Sequence, residues 1–217
     1  MKLLNAAIGT LMIGLFALPA FGDSGKFDKG GNNECPVGFV KNLSLDQEFG
    51  PGTQQLTRCI KKRHNVKMVV QINQFCTNSS SPCTSPYALG NIRNILDDYE
   101  ITHGMTVGQD FEIAVVLHSP GGLMALKNTS FNGAGVQVSG RNPFEGQIKD
   151  LMARGVKFYF CQNTTRAYIT NGTLPNYMTD ASGHSATGQL IEGMEYTTAG
   201  LTSIADFQAL GYQYIQP

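Results

Sequence analysis

Residues 111–117 read Phe-Glu-Ile-Ala-Val-Val-Leu and run straight into His118-Ser119-Pro120-Gly121-Gly122. An apolar, β-branched run of strand length, stopped by a Pro-Gly break, describes a strand buried on both faces; a strand with one wet face would alternate. The same signature recurs on either side. Val66 to Ile72 (VKMVVQI) is an earlier strand, and Val156 to Phe160 (VKFYF) is a later one that leads into Cys161-Gln162-Asn163. Helical spacing fills the intervals. Leu89, Ile92, Ile95, Leu96 and Tyr99 mark one face of a helix over 88–100. Asn142-Pro143 supplies a cap and a first-turn proline for a helix carrying Phe144, Ile148, Leu151 and Met152, ended by Gly155. Short helices are expected at 123–127 and 164–170, and residues 128–141 read as loop. A short strand at 194–198, a helix marked by Leu201, Ile204, Phe207 and Leu210, and a strand at 212–215 complete the pattern. Strands alternating with helices predict an α/β fold: a three-layer α/β/α sandwich with a mostly parallel central sheet of about five strands.

The chain has 217 residues, 41% of them hydrophobic, enough for one well-buried domain. Lys and Arg together number 16, as do Asp and Glu, so no basic field exists to attract nucleic acid. Lys2, an apolar run to Phe21 and the small residues Ala20 and Gly22 have the layout of a secretory signal peptide over 1–22. The expected organisation is a cleaved leader (1–22), a polar and disulfide-pinned extension (23–65) and an α/β domain (66–217). The mature protein is expected in the periplasm or outside the cell, with no membrane association once the leader is removed.

Export matters for the five cysteines, because disulfides persist in an oxidising compartment. Cys35, Cys59, Cys76 and Cys83 cluster, and Cys161 stands alone. The parsimonious pairing joins Cys35 to Cys59 and Cys76 to Cys83, one of three possibilities. Zinc bound by these residues with His64 is the rival, weakened by the lack of a C-x-x-C pair. No metal or cofactor is expected, and an odd thiol remains, with Cys161 the candidate.

In open parallel sheets, ligands bind beyond the carboxyl ends of the strands. His118 and Cys161 both fall at such ends and share a pocket if their strands are neighbours. Ser119, Gly121, Gly122, Gln162 and Asn163 would line it. A helix starting just after Cys161 would favour a thiolate there, and a thiolate is a nucleophile able to carry sulfane sulfur as a persulfide. Buried, inert cysteine is the bland alternative, and a histidine satisfied at a strand end is the bland reading of His118. The P-loop, nucleophile-elbow and H-E-x-x-H motifs are absent from the sequence.

The strand ending in His118, the segment LMARGVKFYFCQNTTR and the closing AGLTSIADFQALGYQYIQP resemble the DsrE/DsrF-like family, particularly its exported members. The resemblance covers roughly residues 66–217. It implies an α/β/α sandwich, association with itself as homotrimers or hexamers, and sulfur handling, with Cys161 at the position of the persulfide-carrying cysteine. It implies a sulfur donor and acceptor without identifying either. The cysteine-bearing extension and the loop holding Cys76 and Cys83 depart from the family pattern. The alternative is a non-enzymatic, oligomeric module that binds a small ligand or metal in the same strand-end pocket.

Overall fold

The apolar runs become the central strands of one five-stranded parallel sheet. The computed structural model describes residues 65–76, 86–102, 104–179, 181 and 183–217. The expected leader, almost all of the extension, and Cys35, Cys59 and Cys83 lie outside these residues. The elements are β1 (Val66–Ile72), α1 (Tyr87–Asp97), β2 (Phe111–Leu117), β3 (Ser130–Phe131), β4 (Gln137–Val138), α2 (Glu145–Ala153), β5 (Lys157–Cys161), α3 (Gln162–Thr170), β6 (Glu195–Thr197), α4 (Gly200–Ala209) and β7 (Gln213–Ile215). The main sheet runs β6–β5–β2–β1–β7, and every neighbouring pair is parallel. Ile72 pairs with Leu117, and Leu117 with Phe160, so the carboxyl ends of the three longest strands lie level.

The connections step outward from β1 to β6, then α4 carries the chain back past β1 to β7. Right-handed crossovers place helices reached in opposite directions on opposite faces. The packing follows that rule. Leu89, Ile92 and Leu96 of α1, Ile148 and Leu151 of α2 and Tyr168 of α3 share one core with Met68, Val70, Ile113, Val115, Phe158 and Phe160. The other face holds a much smaller core: Val69, Val116 and Ile204, with Tyr159, Phe207 and Tyr212 packed against it. Among the described residues, three helices cover one side of the sheet and α4 the other, an α/β/α sandwich. The edge strands β6 and β7 are three residues each, which limits the unpaired backbone they present. No helix among the described residues is long and apolar enough to cross a membrane.

Local details differ from the sequence pattern. The helix expected at 123–127 is a 3-10 helix over Ser119–Ala125 that begins directly after His118. The expected loop 128–141 contains the antiparallel pair β3–β4. Asn142, expected to cap a helix, lies three residues before α2 and is fully buried. Its Nδ2 donates to the carbonyls of Met124 and Leu126, both at 2.8 Å, and its Oδ1 accepts from the Phe144 amide at 3.1 Å. A buried amide with three partners fastens the insertion after β2 onto the approach to α2.

Candidate functional site

Side-chain alternation decides which chemistry meets. Along β1, β2 and β5, Met68, Val70, Ile113, Val115, Phe158 and Phe160 point into the larger core. The intervening positions point to the α4 side, which gives Val69 and Gln71 on β1, Val116 and then His118 on β2, and Tyr159 and Cys161 on β5. The central strand β2 lies between β1 and β5, so His118 stands between Gln71 and Cys161.

Cys161 is a free thiol with 3% of its surface exposed. It immediately precedes α3, but its side chain makes no cap to that helix. The sulfur instead accepts the backbone N–H of Gly200 at 3.1 Å. Gly200 opens α4, a helix of ten residues, so the positive end of that helix dipole is aimed at the sulfur. The helix N-terminus expected to act on Cys161 was that of the following helix; the one that contacts the sulfur comes from the opposite face, 39 residues later. Strand alternation is the physical reason: the side chain projects away from α3 and toward α4.

His118 is 8% exposed. Its Nε2 lies 2.6 Å from Gln71 Nε2, and its Nδ1 lies 3.0 Å from Ser119 Oγ. Burial holds its pKa below the ordinary imidazole value. Ser119 adopts φ 52°, a left-handed conformation that non-glycine residues seldom take. Its N–H donates to Thr164 Oγ1 and its carbonyl accepts from Tyr168 Oη, both at 2.9 Å. These two bonds pin the strained residue from α3.

An open cavity of ≈ 880 Å³ adjoins these groups. His118, Ser119, Cys161 and Asn163 line it together with the start of α4 and one side of α3. Its lining includes Thr164, Asn171, Thr173 and Thr202 among polar residues and Pro120, Leu123 and Leu201 among apolar ones, with no Lys, Arg, Asp or Glu. Gly121 and Gly122 take no part in that lining. A Cβ on Gly121 would stand 2.4 Å from the Ile72 carbonyl oxygen, and one on Gly122 would stand 2.8 Å from both Phe160 and Thr164. Both glycines serve close packing of the 3-10 turn on the strand ends. Gln162 lies outside the lining too; its carbonyl accepts from Tyr177 Oη at 3.3 Å. Gln71, Gly200, Thr164 and Tyr214 went unnoticed in the sequence. Only Gln71, a polar residue inside an otherwise apolar strand, carried a signal.

Cys76 is disulfide-bonded. Cys161 is free; the expected pairing of Cys35 with Cys59 and of Cys76 with Cys83 involves cysteines outside the described residues. Among the described residues no cluster of His, Cys, Asp and Glu could hold a metal ion.

The family model for DsrE/DsrF-like proteins matches residues 82–217. This chain belongs to the DsrE/DsrF-like family. The matched span contains His118, Cys161 and the whole of α4. Two solved structures are similar to this DsrE/DsrF-like chain. One is MTH1491 of Methanobacterium thermoautotrophicum, described as a protein of unknown function; it shares 22% identity at a TM-score of 0.47, over 70% of this chain and 100% of that one. The other is the ychN protein of E. coli, with 15% identity at a TM-score of 0.38, over 71% of this chain and 99% of that one. No curated protein matches the chain.

Proposed function

We propose that this DsrE/DsrF-like protein is a periplasmic sulfur carrier that holds sulfane sulfur as a persulfide on Cys161. One observation carries the reading: the free thiol sits at the edge of an open cavity with a helix N–H 3.1 Å from its sulfur. A donor N–H on the sulfur stabilises the Cys161 thiolate, the form that attacks in sulfur exchange. In the loading step the Cys161 thiolate attacks the outer sulfur of a donor persulfide R–S–SH. The donor S–S bond breaks, R–S⁻ leaves, and Cys161 becomes Cys–S–SH, with no net oxidation. Delivery is the same exchange in reverse with an acceptor thiolate. Association as a homotrimer or hexamer belongs to this reading as the family likeness implies it.

Intact mass measurement after incubation with polysulfide tests the proposal. A gain of one sulfur that is absent in Cys161→Ser supports it. No gain in the native chain, or an equal gain in the variant, overturns it.

A second reading is favoured by the cavity itself. A volume of ≈ 880 Å³ far exceeds what one sulfur atom needs, and it falls within the range of small-molecule sites. On this reading the protein is a non-enzymatic module that binds a small ligand there. A ligand that raises the melting temperature equally in native protein and Cys161→Ser supports this alternative.

A further inference from the structure

We propose that Gln71 and Tyr214 are positioning residues of the Cys161 site: acting through His118, they orient the Ser119 hydroxyl so that its proton is offered to whatever occupies the cavity. The sulfur-carrier reading enters only in saying what that occupant is.

The direction of each hydrogen bond follows from the one before it. Tyr214 Oη donates to Gln71 Oε1 in a short contact. Tyr214 Oη also stands 3.0 Å from Gln216 Oε1. One proton cannot serve both acceptors, and the contact to Gln71 is the closer of the two. With its oxygen occupied, the Gln71 carboxamide presents its nitrogen to His118 Nε2 at 2.6 Å. An amide nitrogen only donates, so the imidazole Nε2 accepts and carries no proton. His118 is therefore neutral, with its proton on Nδ1. That proton is donated to Ser119 Oγ at 3.0 Å. A hydroxyl that has accepted at its oxygen keeps its own hydrogen for another partner.

The backbone of Ser119 supplies the second line of argument. Its positive φ is strained for a residue with a side chain and persists only where the surroundings over-determine it. Thr164 and Tyr168 hold its N–H and carbonyl, so the residue cannot relax. Gly200 closes the opposite side, packed so tightly on the His118 ring that a Cβ there would lie 2.7 Å from the imidazole Cγ. One face of the ring is thus covered by the start of α4. Burial disfavours the imidazolium and keeps the relay in its neutral form. Ser119 and Cys161 line the same cavity, so the chain of bonds delivers a hydrogen-bond donor into the space that the sulfur borders.

Ring-nitrogen NMR of histidine-labelled protein at neutral pH tests the relay, with the His118 signals assigned by their loss in His118→Asn. The expected native state is Nδ1 protonated and Nε2 bare. Tyr214→Phe, at an exposed position, releases the Gln71 amide and yields a mixture of both tautomers. Gln71→Glu presents a carboxylate to Nε2 and moves the proton there. Alkylation of Cys161 by iodoacetamide, which needs no sulfur donor, should slow about tenfold in Ser119→Ala and by a similar factor in Gln71→Glu, with no further loss in the double variant. A native His118 protonated on Nε2 or on both nitrogens overturns the proposal. So does a tautomer unmoved in Tyr214→Phe, or an alkylation rate indifferent to Ser119→Ala. Should the relay behave as expected while polysulfide adds no sulfur, the carrier reading alone falls.

Discussion

The amide of Gly200 reaches the sulfur of Cys161 at 3.1 Å because no side chain stands between α4 and the ring of His118. A Cβ at position 200 would lie 2.7–2.9 Å from three atoms of that imidazole. Gly200→Ala therefore has to lift the start of α4 or displace His118. Expected outcomes are a loss of about 1–3 kcal/mol in denaturant unfolding, as for other overpacked sites, and slower iodoacetamide alkylation of Cys161. An unchanged alkylation rate would mean that the N–H has no part in the reactivity of the thiol.

Access should discriminate by size. Cys161 is 3% exposed but borders an open cavity. Iodoacetamide is expected to modify it in native buffer at a rate insensitive to low denaturant. A polymer-linked maleimide should react only as the structure opens, with a rate that climbs with denaturant. Equal denaturant dependence for both reagents would show that the sulfur is sealed in the core.

His118 should make stability depend on pH in one direction. Burial lowers its pKa in the folded state, so the unfolded chain binds the proton more readily. Stability from this group is complete above the unfolded value of about 6.5 and falls as pH drops from there toward the lower folded value. Chemical denaturation at pH 7.5 and pH 5.5 should reveal the loss, and His118→Asn should reduce it. A variant with the same pH dependence as the native chain would assign the effect to other groups.

Glu145 adds a separate acid-side dependence. Its carboxylate pairs with Lys149 at 2.5 Å and accepts the Asn128 amide at 2.6 Å. The Lys149 hydrogen bond, with help from the Asn128 amide, holds its pKa below the usual carboxylate value. The contribution is present above the unfolded pKa of about 4.3 and is lost as pH falls through the folded one. Glu145→Gln should narrow the stability gap between pH 6 and pH 3. No narrowing would mean that the pair is fully screened by solvent.

The glycines of the turn after β2 are predicted to be intolerant for a reason unrelated to the cavity. Gly121→Ala places a methyl 2.4 Å from a backbone oxygen of β1, which has no rotamer with which to yield. A cost at the upper end of about 1–3 kcal/mol is expected in thermal or denaturant unfolding. A melting temperature equal to that of the native chain would contradict the packing described.

The strands and helices were legible because β1, β2 and β5 are uninterrupted apolar runs and α1 repeats its apolar residues at helical spacing. That His118 and Cys161 border one cavity was legible because both close such runs on neighbouring strands. What supports them was not. Gly200, Gln71 and Tyr214 lie 39, 47 and 96 residues from the groups they touch or orient, counted from Cys161 for the first and from His118 for the others, and no local pattern encodes a crossover that brings α4 back over β2. Gly121 and Gly122 were misread for a related reason. A glycine next to a strand end looks the same in sequence whether it opens space for a ligand or admits a neighbouring backbone.

The uneven dressing of the sheet has a consequence for timing. The helix that supplies the N–H to Cys161 is fastened by the smaller of the two cores, around Val69, Val116 and Ile204. A helix held by few apolar contacts detaches more often than one embedded in the main core. A detachment of α4 would withdraw its positive end from the sulfur and uncover it in the same event. For a probe too large to enter the cavity, grip and exposure would then be two readings of one fluctuation.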